Sequence, residues 1–299
     1  MSKERQLFAG IEGGGTKFVV AVGTADGDVL AQTRIPTTTP EETLSRCVEF
    51  LQAQEDALGK LAAIGIATFG PIDLQPASAN YGHILPTPKL FWTNADLLTP
   101  FREAFDVPIA VDTDVNGAAL GEWRWGAAQG LENFLYLTIG TGIGGGAMLN
   151  GKLMHGLLHP EMGHIPLPTT VEDVCKCPFH DDCFEGLAAG PAIENRWGVK
   201  AEELPAGHPA WEVEASHIAR ALRGFICTLS PERIILGGGV MSQAHLFPLI
   251  HEKTLVELNG YIQSPEILER VDKYIVPVEL DGKAGILGAF VLAEQALKA

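Results

Sequence analysis

Three stretches of the sequence carry side chains able to do chemistry. The first is Asp112-Thr113-Asp114-Val115-Asn116, where an apolar run ends and a run of small residues begins. Two carboxylates at the mouth of a buried strand are costly unless they are solvated, paired or used. A carboxylate there can accept a hydroxyl proton while a phosphoryl group arrives in line, a reaction in which the protein mainly positions the reactants. Asp114 is the better base, because it lies beyond the strand at the entrance of the next helix. The same place would also suit it as the cap of that helix. The second stretch is Glu161-Met162-Gly163-His164, and the third is Cys175-Lys176-Cys177-Pro178-Phe179-His180-Asp181-Asp182-Cys183-Phe184-Glu185. Thiolates and imidazoles so spaced on a tight turn containing proline can share one tetrahedral zinc. Cys177, His180 and Cys183 form a C-x-x-H-x-x-C run, His164 is the natural fourth ligand, and Cys175 competes for the place of His180. Such a closed site is structural. It would pin the loop that carries Glu161 and Glu185, whose carboxylates can accept hydrogen bonds from hydroxyl groups.

Two glycine-rich corners suit the other reactant. Gly10-Ile11-Glu12-Gly13-Gly14-Gly15-Thr16-Lys17 follows Leu7-Phe8-Ala9 and runs into Phe18-Val19-Val20-Ala21-Val22. Thr138-Ile139-Gly140-Thr141-Gly142-Ile143-Gly144-Gly145-Gly146 follows Phe134-Leu135-Tyr136-Leu137 and runs into Ala147-Met148-Leu149, which Asn150-Gly151 closes as a hairpin turn. Both read as strand-turn-strand corners. Glycine lets the backbone come close to a ligand, and successive N–H groups converge on an anion. Neither corner fits the Walker or dinucleotide pattern, which need a Lys-Ser/Thr pair or a following helix. One corner in each half predicts a duplicated domain with a phosphate loop in each copy, clasping one polyphosphate.

The positioning elements follow from periodicity. Strands are expected at 7–11, 18–23 and 28–35, then a helix over 41–58 with Thr39 as N-cap, Pro40 in its first turn and Glu42 closing a capping box. Ala63–Ala67 and Ile109–Val111 read as short buried strands, giving an α/β arrangement with a mixed sheet. Residues 68–100, rich in Pro, Gly, Thr and Asn, read either as part of a substrate pocket or as a plain surface loop. In the second half a helix is expected over 211–229, then the strand Arg233–Leu236 closing in Gly237-Gly238-Gly239-Val240. That closure suits approach of a ribose or adenosine, or is simple turn chemistry. A last helix covers 284–298. The expected domains are 1–115, with helix 284–299 packed back on it, and 116–283, with a hinge near 113–118.

Composition narrows the class. The chain has 299 residues, 46% of them apolar and 19% charged, which suits two globular domains with substantial cores. A net charge of −16 argues against a nucleic-acid or anionic-membrane partner. No apolar run reaches the length of a membrane span, and the polar start Met1-Ser2-Lys3-Glu4-Arg5 leads into no signal peptide, so the expected location is cytoplasmic. Cys47 and Cys227 fall within helical patterns and read as buried thiols. The remaining cysteines cluster with histidine as metal ligands rather than as disulfides.

These motifs together resemble the ROK family (repressors, open reading frames, kinases), and most closely its bacterial fructokinase branch. The likeness covers nearly the whole chain, on loop 10–17, Asp112-x-Asp114-x-Asn116, loop 138–146, Glu161-x-Gly163-His164, the zinc cluster and Gly237-Gly238-Gly239-Val240. It implies the actin-like ATPase (ribonuclease H-like) fold: two duplicated α/β domains with a cleft between them. It implies ATP-dependent phosphorylation of a hexose, fructose first and mannose or glucose behind, with Mg²⁺ on the ATP phosphates and a structural zinc. By position, Asp114 matches the catalytic base, and Gly70, Pro71, Asn116, Glu161, His164 and Glu185 match the sugar side. Glu12, Gly14, Gly15, Thr16, Lys17, Thr141, Gly142, Gly190, Gly238 and Gly239 fall to the nucleotide. His164, Cys177, His180 and Cys183 fall to zinc, and a homodimer is expected.

Two departures stand out: Glu12 replaces the usual Asp, and Cys-Pro-Phe-His-x-x-Cys replaces the usual three-cysteine cluster, which favours His180 over Cys175. Among other function classes, a sugar-responsive repressor is disfavoured by the short lead before the first loop and by the acidity. A non-catalytic sugar binder is disfavoured by Asp114 and the two phosphate loops.

Overall fold

The computed structural model describes residues 6–298, so the polar start at 1–5 lies outside the described residues. The chain divides into two units. The first holds the chain up to Gln129, the segment Met154–His159 and everything from Leu280 onward; the second holds Gly130–Leu153 and Pro160–Glu279. Residues 116–129, expected in the second domain, therefore pack with the first.

In chain order the first unit contains β1 (Leu7–Gly13), β2 (Lys17–Thr24), β3 (Val29–Pro36), α1 (Pro40–Leu58), β4 (Leu61–Thr68), α2 (Thr99–Ala104), β5 (Ile109–Thr113) and α3 (Asp114–Trp125). The second contains β6 (Phe134–Ile139), β7 (Ile143–Leu149), β8 (Lys152–Leu153), α4 (Phe184–Ala188), α5 (Gly190–Trp197), α6 (Ala210–Leu229), β9 (Arg233–Gly237), α7 (Leu246–Leu258), α8 (Pro265–Leu268), α9 (Val271–Tyr274) and β10 (Ile275–Pro277). The last helix, α10 (Ala284–Lys298), returns to the first unit.

The duplication is visible in the sheets. One five-stranded sheet has the order β3-β2-β1-β4-β5, and the other has β8-β7-β6-β9-β10. In each, the first strand pairs antiparallel with the second and parallel with the fourth, and the fourth pairs parallel with the fifth. Parallel neighbours must be covered on both faces, which is why β1 and β4 are almost wholly apolar. On one face Leu44, Cys47 and Leu51 of α1 join Phe18, Ile64 and Ile66 in the core. Helix α1 starts at the expected cap, with Thr39 Oγ1 accepting from the Glu42 amide at 3.3 Å, but Glu42 Oε2 accepts from Thr38 Oγ1 at 2.7 Å instead of closing the expected capping box on the Thr39 amide.

The other face of that sheet is covered by α10, which packs on β1, β4, β5 and α3. Contact there is too close for side chains at the crossing points. A Cβ on Gly65 would lie 1.9 Å from the Ala289 carbonyl, and one on Gly288 would lie 1.6 Å from that of Gly117. Glu122 of α3, fully buried, accepts from Ala127 N at 2.8 Å and from Leu280 N at 3.0 Å, tying the end of α3 to the approach of α10.

Two local expectations change. Residues 68–100 lack regular strands but are not a plain surface loop, because Ile72, Ile84, Trp92, Leu97 and Leu98 are buried. Trp92 stacks on Phe18 at 5.4 Å, and its Nε1 donates to the Thr38 carbonyl at 2.8 Å. Cys47 is buried, but Cys227 is exposed, because the buried face of α6 runs through Ile218, Leu222, Phe225 and Ile226 and leaves the next position outside.

Because the Gly288 site has backbone for its neighbour, Gly288→Ala is expected to destabilise the protein by about 3 kcal/mol or more. Urea unfolding should show a lower midpoint at an unchanged slope.

Candidate active site

The first unit holds the acid. Strand β5 ends at Thr113, whose extended backbone and Oγ1, accepting from Asn116 N at 3.2 Å, cap α3. Thr113 therefore takes the capping role that was open to Asp114. Asp114 is half-buried in the first helical turn, with Oδ1 accepting from Val115 N at 2.9 Å, a place where the helix dipole favours a carboxylate. Asp112 is buried beside it and fully engaged. Its Oδ1 accepts from Thr113 N and Asn116 Nδ2, both at 2.7 Å, and its Oδ2 lies 2.9 Å from His155 Nε2.

The glycine-rich corner of this unit is the β1–β2 turn. Gly14 N donates to the Lys17 carbonyl at 2.9 Å, and Thr37 braces the turn by donating its Oγ1 to Gly14 O at 2.7 Å and its amide to Thr16 O at 3.0 Å. The Lys89 ammonium donates to the Gly15 carbonyl. Gly15, Thr16 and Lys17 are exposed. Glu12 sits behind the turn, and burial raises its carboxyl above the usual range while Lys17 and Arg34 oppose the rise. The extra methylene that distinguishes it from Asp fits because residue 285 is glycine; a Cβ there would lie 2.5 Å from Glu12 Cδ. Gly70 and Pro71 form a turn whose next amide, Ile72 N, donates to His159 Nε2 at 3.1 Å.

The second unit holds a cavity of about 380 Å³ lined by Thr141, Gly190, Gly239, Lys200 and Glu202, with Gly140, Pro191, Glu194, Ala201 and Val240. Four separate stretches meet there: residues 140–141, 190–194, 200–202 and 239–240. The corner proper is only residues 140–142, because Gly144–Gly146 continue β7 opposite Thr138–Tyr136. Those glycines are packing devices; a Cβ on Gly145 would lie 2.5 Å from Met162 Sδ. The Gly190 amide, at the start of α5, donates to Gly140 O at 2.7 Å and ties that helix to the corner. Gly142 and Gly238 shape the walls rather than line the cavity. Gly142 lies against Glu185, and Gly238, at φ +92°, packs on the Ile139 carbonyl, 2.4 Å from where a Cβ would stand.

Beside this cavity in sequence lies the metal cluster. One donor atom each from His164, Cys177, His180 and Cys183 lies within 4.8 Å of all the others. Cys177 Sγ is 3.5 Å from His180 Nδ1 and 3.9 Å from His164 Nδ1, against about 3.5 Å between ligands of one tetrahedral zinc. Burial pushes the Cys183 thiol up to about 12, with Cys177 and Cys175 adding to the rise, so a thiolate there requires a cation beside it. The donor set thus fits structural zinc. Cys175 stands outside it, with Sγ donating to the His180 carbonyl at 3.1 Å. His164 turns Nε2 toward Glu185, 3.9 Å from Oε1, while Glu185 Oε2 accepts from Ile143 N at 2.8 Å. The metal ligand and the glycine corner therefore share one carboxylate. Glu161 is exposed and precedes the short helical turn Met162–His164, its carbonyl accepting from His164 N at 3.0 Å.

Sequence reasoning missed His155, His159, Thr37, Lys89 and the Lys200–Glu202 wall. None carries a local signal, since each acquires its place through partners distant in the chain.

Residues 8–296 match the ROK family. The chain is similar to a putative fructokinase of Bacillus subtilis, 46% identical over 98% of this chain and 97% of that protein. It is also similar to the fructokinase of Zymomonas mobilis, 44% identical over 98% of each. Among solved structures it resembles a ROK family glucokinase from Streptomyces griseus in complex with glucose and AMPPNP, with a TM-score of 0.74 and 26% identity over 97% of this chain and 99% of that one.

Elemental analysis of the purified protein is expected to find about one equivalent of zinc, lost in Cys177→Ser and Cys183→Ser and retained in Cys175→Ser. Zinc loss in the Cys175 variant would put that thiol back in the ligand set.

Proposed function

Because the chain belongs to the ROK family, we propose that it is an ATP-dependent hexose kinase, a fructokinase that converts fructose and ATP to fructose 6-phosphate and ADP. The observation that carries this reading is end-to-end similarity to the fructokinase of Zymomonas mobilis. The fold, two copies of one mixed α/β sheet arrangement, is that of the actin-like ATPases.

Asp114 is the base. It accepts the proton of the attacking hydroxyl as the new O–P bond forms and the bridging bond to the γ-phosphorus breaks, releasing ADP. Gly70, Pro71, Asn116, Glu161, His164 and Glu185 hold and orient the sugar. Gly14, Gly15, Thr16, Lys17, Thr141 and Gly142 hold the phosphates, while Gly190 and Gly239 take the nucleoside end in the cavity of the second unit and Gly238 shapes the turn behind it. Mg²⁺ bound with ATP would supply neutralisation of the phosphate charge, and Glu12 would be the residue of the first corner that faces it. His164, Cys177, His180 and Cys183 would hold the zinc, which would fix the loop that presents Glu161 and Glu185. The working state is a cytoplasmic homodimer without nucleic acid, the last supported by the net charge of −16.

Asp114→Ala is expected to lower kcat by about a thousandfold or more while fructose binding, followed by calorimetry, stays nearly intact. Retained turnover would reject the base assignment. In a coupled ADP-release assay across fructose, mannose and glucose, fructose should give the highest kcat/KM. A higher value for glucose would overturn the choice of acceptor, and no ADP release with any hexose would overturn the kinase reading.

A further inference from the structure

We propose that His155 and His159 are positioning residues for the sugar, each fastening one of its candidate contacts in the first unit through Nε2. The inference rests on the assignment of Gly70, Pro71, Asp114 and Asn116 above and adds to it a part that neither family membership nor sequence spacing supplies.

The segment Met154–His159 belongs to the first unit although the residues on either side of it belong to the second. Its hold on that unit is polar. His155 Nε2 lies 2.9 Å from Asp112 Oδ2 and 3.4 Å from Asn116 Nδ2. His159, itself buried, takes the Ile72 amide at 3.1 Å. Gln75 Nε2 donates to the carbonyls of Gly156 and Leu157 at 2.8 and 2.7 Å. The leucines of the segment contribute little, since Leu157 is 87% and Leu158 47% exposed. These polar links join the segment to both sides of the proposed sugar contact: the end of β5 with the start of α3, and the turn after β4.

The proton roles of the two rings are opposite. His155 Nε2 faces a carboxylate oxygen and therefore carries a proton. His159 Nε2 faces an amide N–H and therefore presents its lone pair, leaving the proton on Nδ1. The His159 ring also lies against the turn, where a Cβ on Gly70 would meet its Cε1 at 3.2 Å. Deleting the His159 acceptor leaves the buried Ile72 amide unmet and frees the Gly70–Pro71 turn. Deleting His155 removes a donor from buried Asp112, whose other oxygen holds the Asn116 side chain. In both cases the sugar contacts move and the nucleotide cavity does not.

Glutamine is the discriminating substitute, because its amide reaches the place of Nε2 and can donate or accept. In the intact chain His155→Ala and His159→Ala are expected to raise the KM for fructose about tenfold or more, with the KM for ATP unchanged and kcat within about threefold. His155→Gln and His159→Gln should recover most of the fructose KM. Leu157→Ala, on the exposed side of the same segment, should match the parent.

A fructose KM unchanged in the alanine variants would overturn the inference, as would an equal rise in both KM values or glutamine variants no better than alanine. Should an alanine variant fail to fold, its folded glutamine counterpart decides: near-parental kinetics support the inference, and a fructose KM raised about tenfold overturns it. Asp114→Ala separates the two levels. If that variant still turns over, the site assignment fails; if it is inactive while the histidine variants leave the fructose KM unmoved, only the present inference fails.

Discussion

A carboxylate removed from water must be met by donors, and in the first unit that requirement fixes Asp112. Thr113, Asn116 and His155 all converge on it, so the end of β5 and the first turn of α3 have little freedom relative to each other. Asp114 follows that network in the chain, and its helix is started by the Thr113 cap. It stands one residue beyond the strand, on a helix whose cap is supplied by Thr113 rather than by itself. A base that did not have to cap its own helix keeps its carboxylate for chemistry.

The second unit solves a related problem with a different device. Its cavity is built where a two-strand corner, the start of α5, residues 200–202 and the turn after β9 meet, and these stretches have few apolar side chains with which to hold one another. Backbone hydrogen bonds and glycines that permit contact take that role, as between Gly190 and Gly140. Glu185 extends the same connection to the metal cluster, since it holds the Ile143 amide and faces His164. A structural zinc would thus stiffen the corner through a carboxylate that itself touches no metal.

Both units depend on close approach. Helix α10 reaches the backbone of β4 and α3 only because Gly65, Gly121 and Gly288 have no side chains there, and that packing covers the second face that a sheet with parallel strands must bury. The same constraint explains the tolerance of Glu12. A longer acid than the family's usual aspartate has room because α10 carries glycine at 285.

The sequence by itself determined the local elements and the chemistry-bearing motifs. Strand and helix periods, the Thr39 cap, the two glycine corners and the C-x-x-H-x-x-C run are short-range patterns written in consecutive residues. They also carried the duplicated architecture, because each corner sits between its own pair of strands. Tertiary structure alone decided how those motifs are held. It extended the first unit through α3, returned Gly144–Gly146 to β7, left Cys227 exposed and gathered His180 rather than Cys175 with the other ligands. It also placed His155 on Asp112 and His159 on Ile72, contacts between residues 43 and 87 positions apart. Such pairings leave no trace in a local pattern, because a histidine's partner is chosen by which groups the packed chain has already buried and left in need of a hydrogen bond.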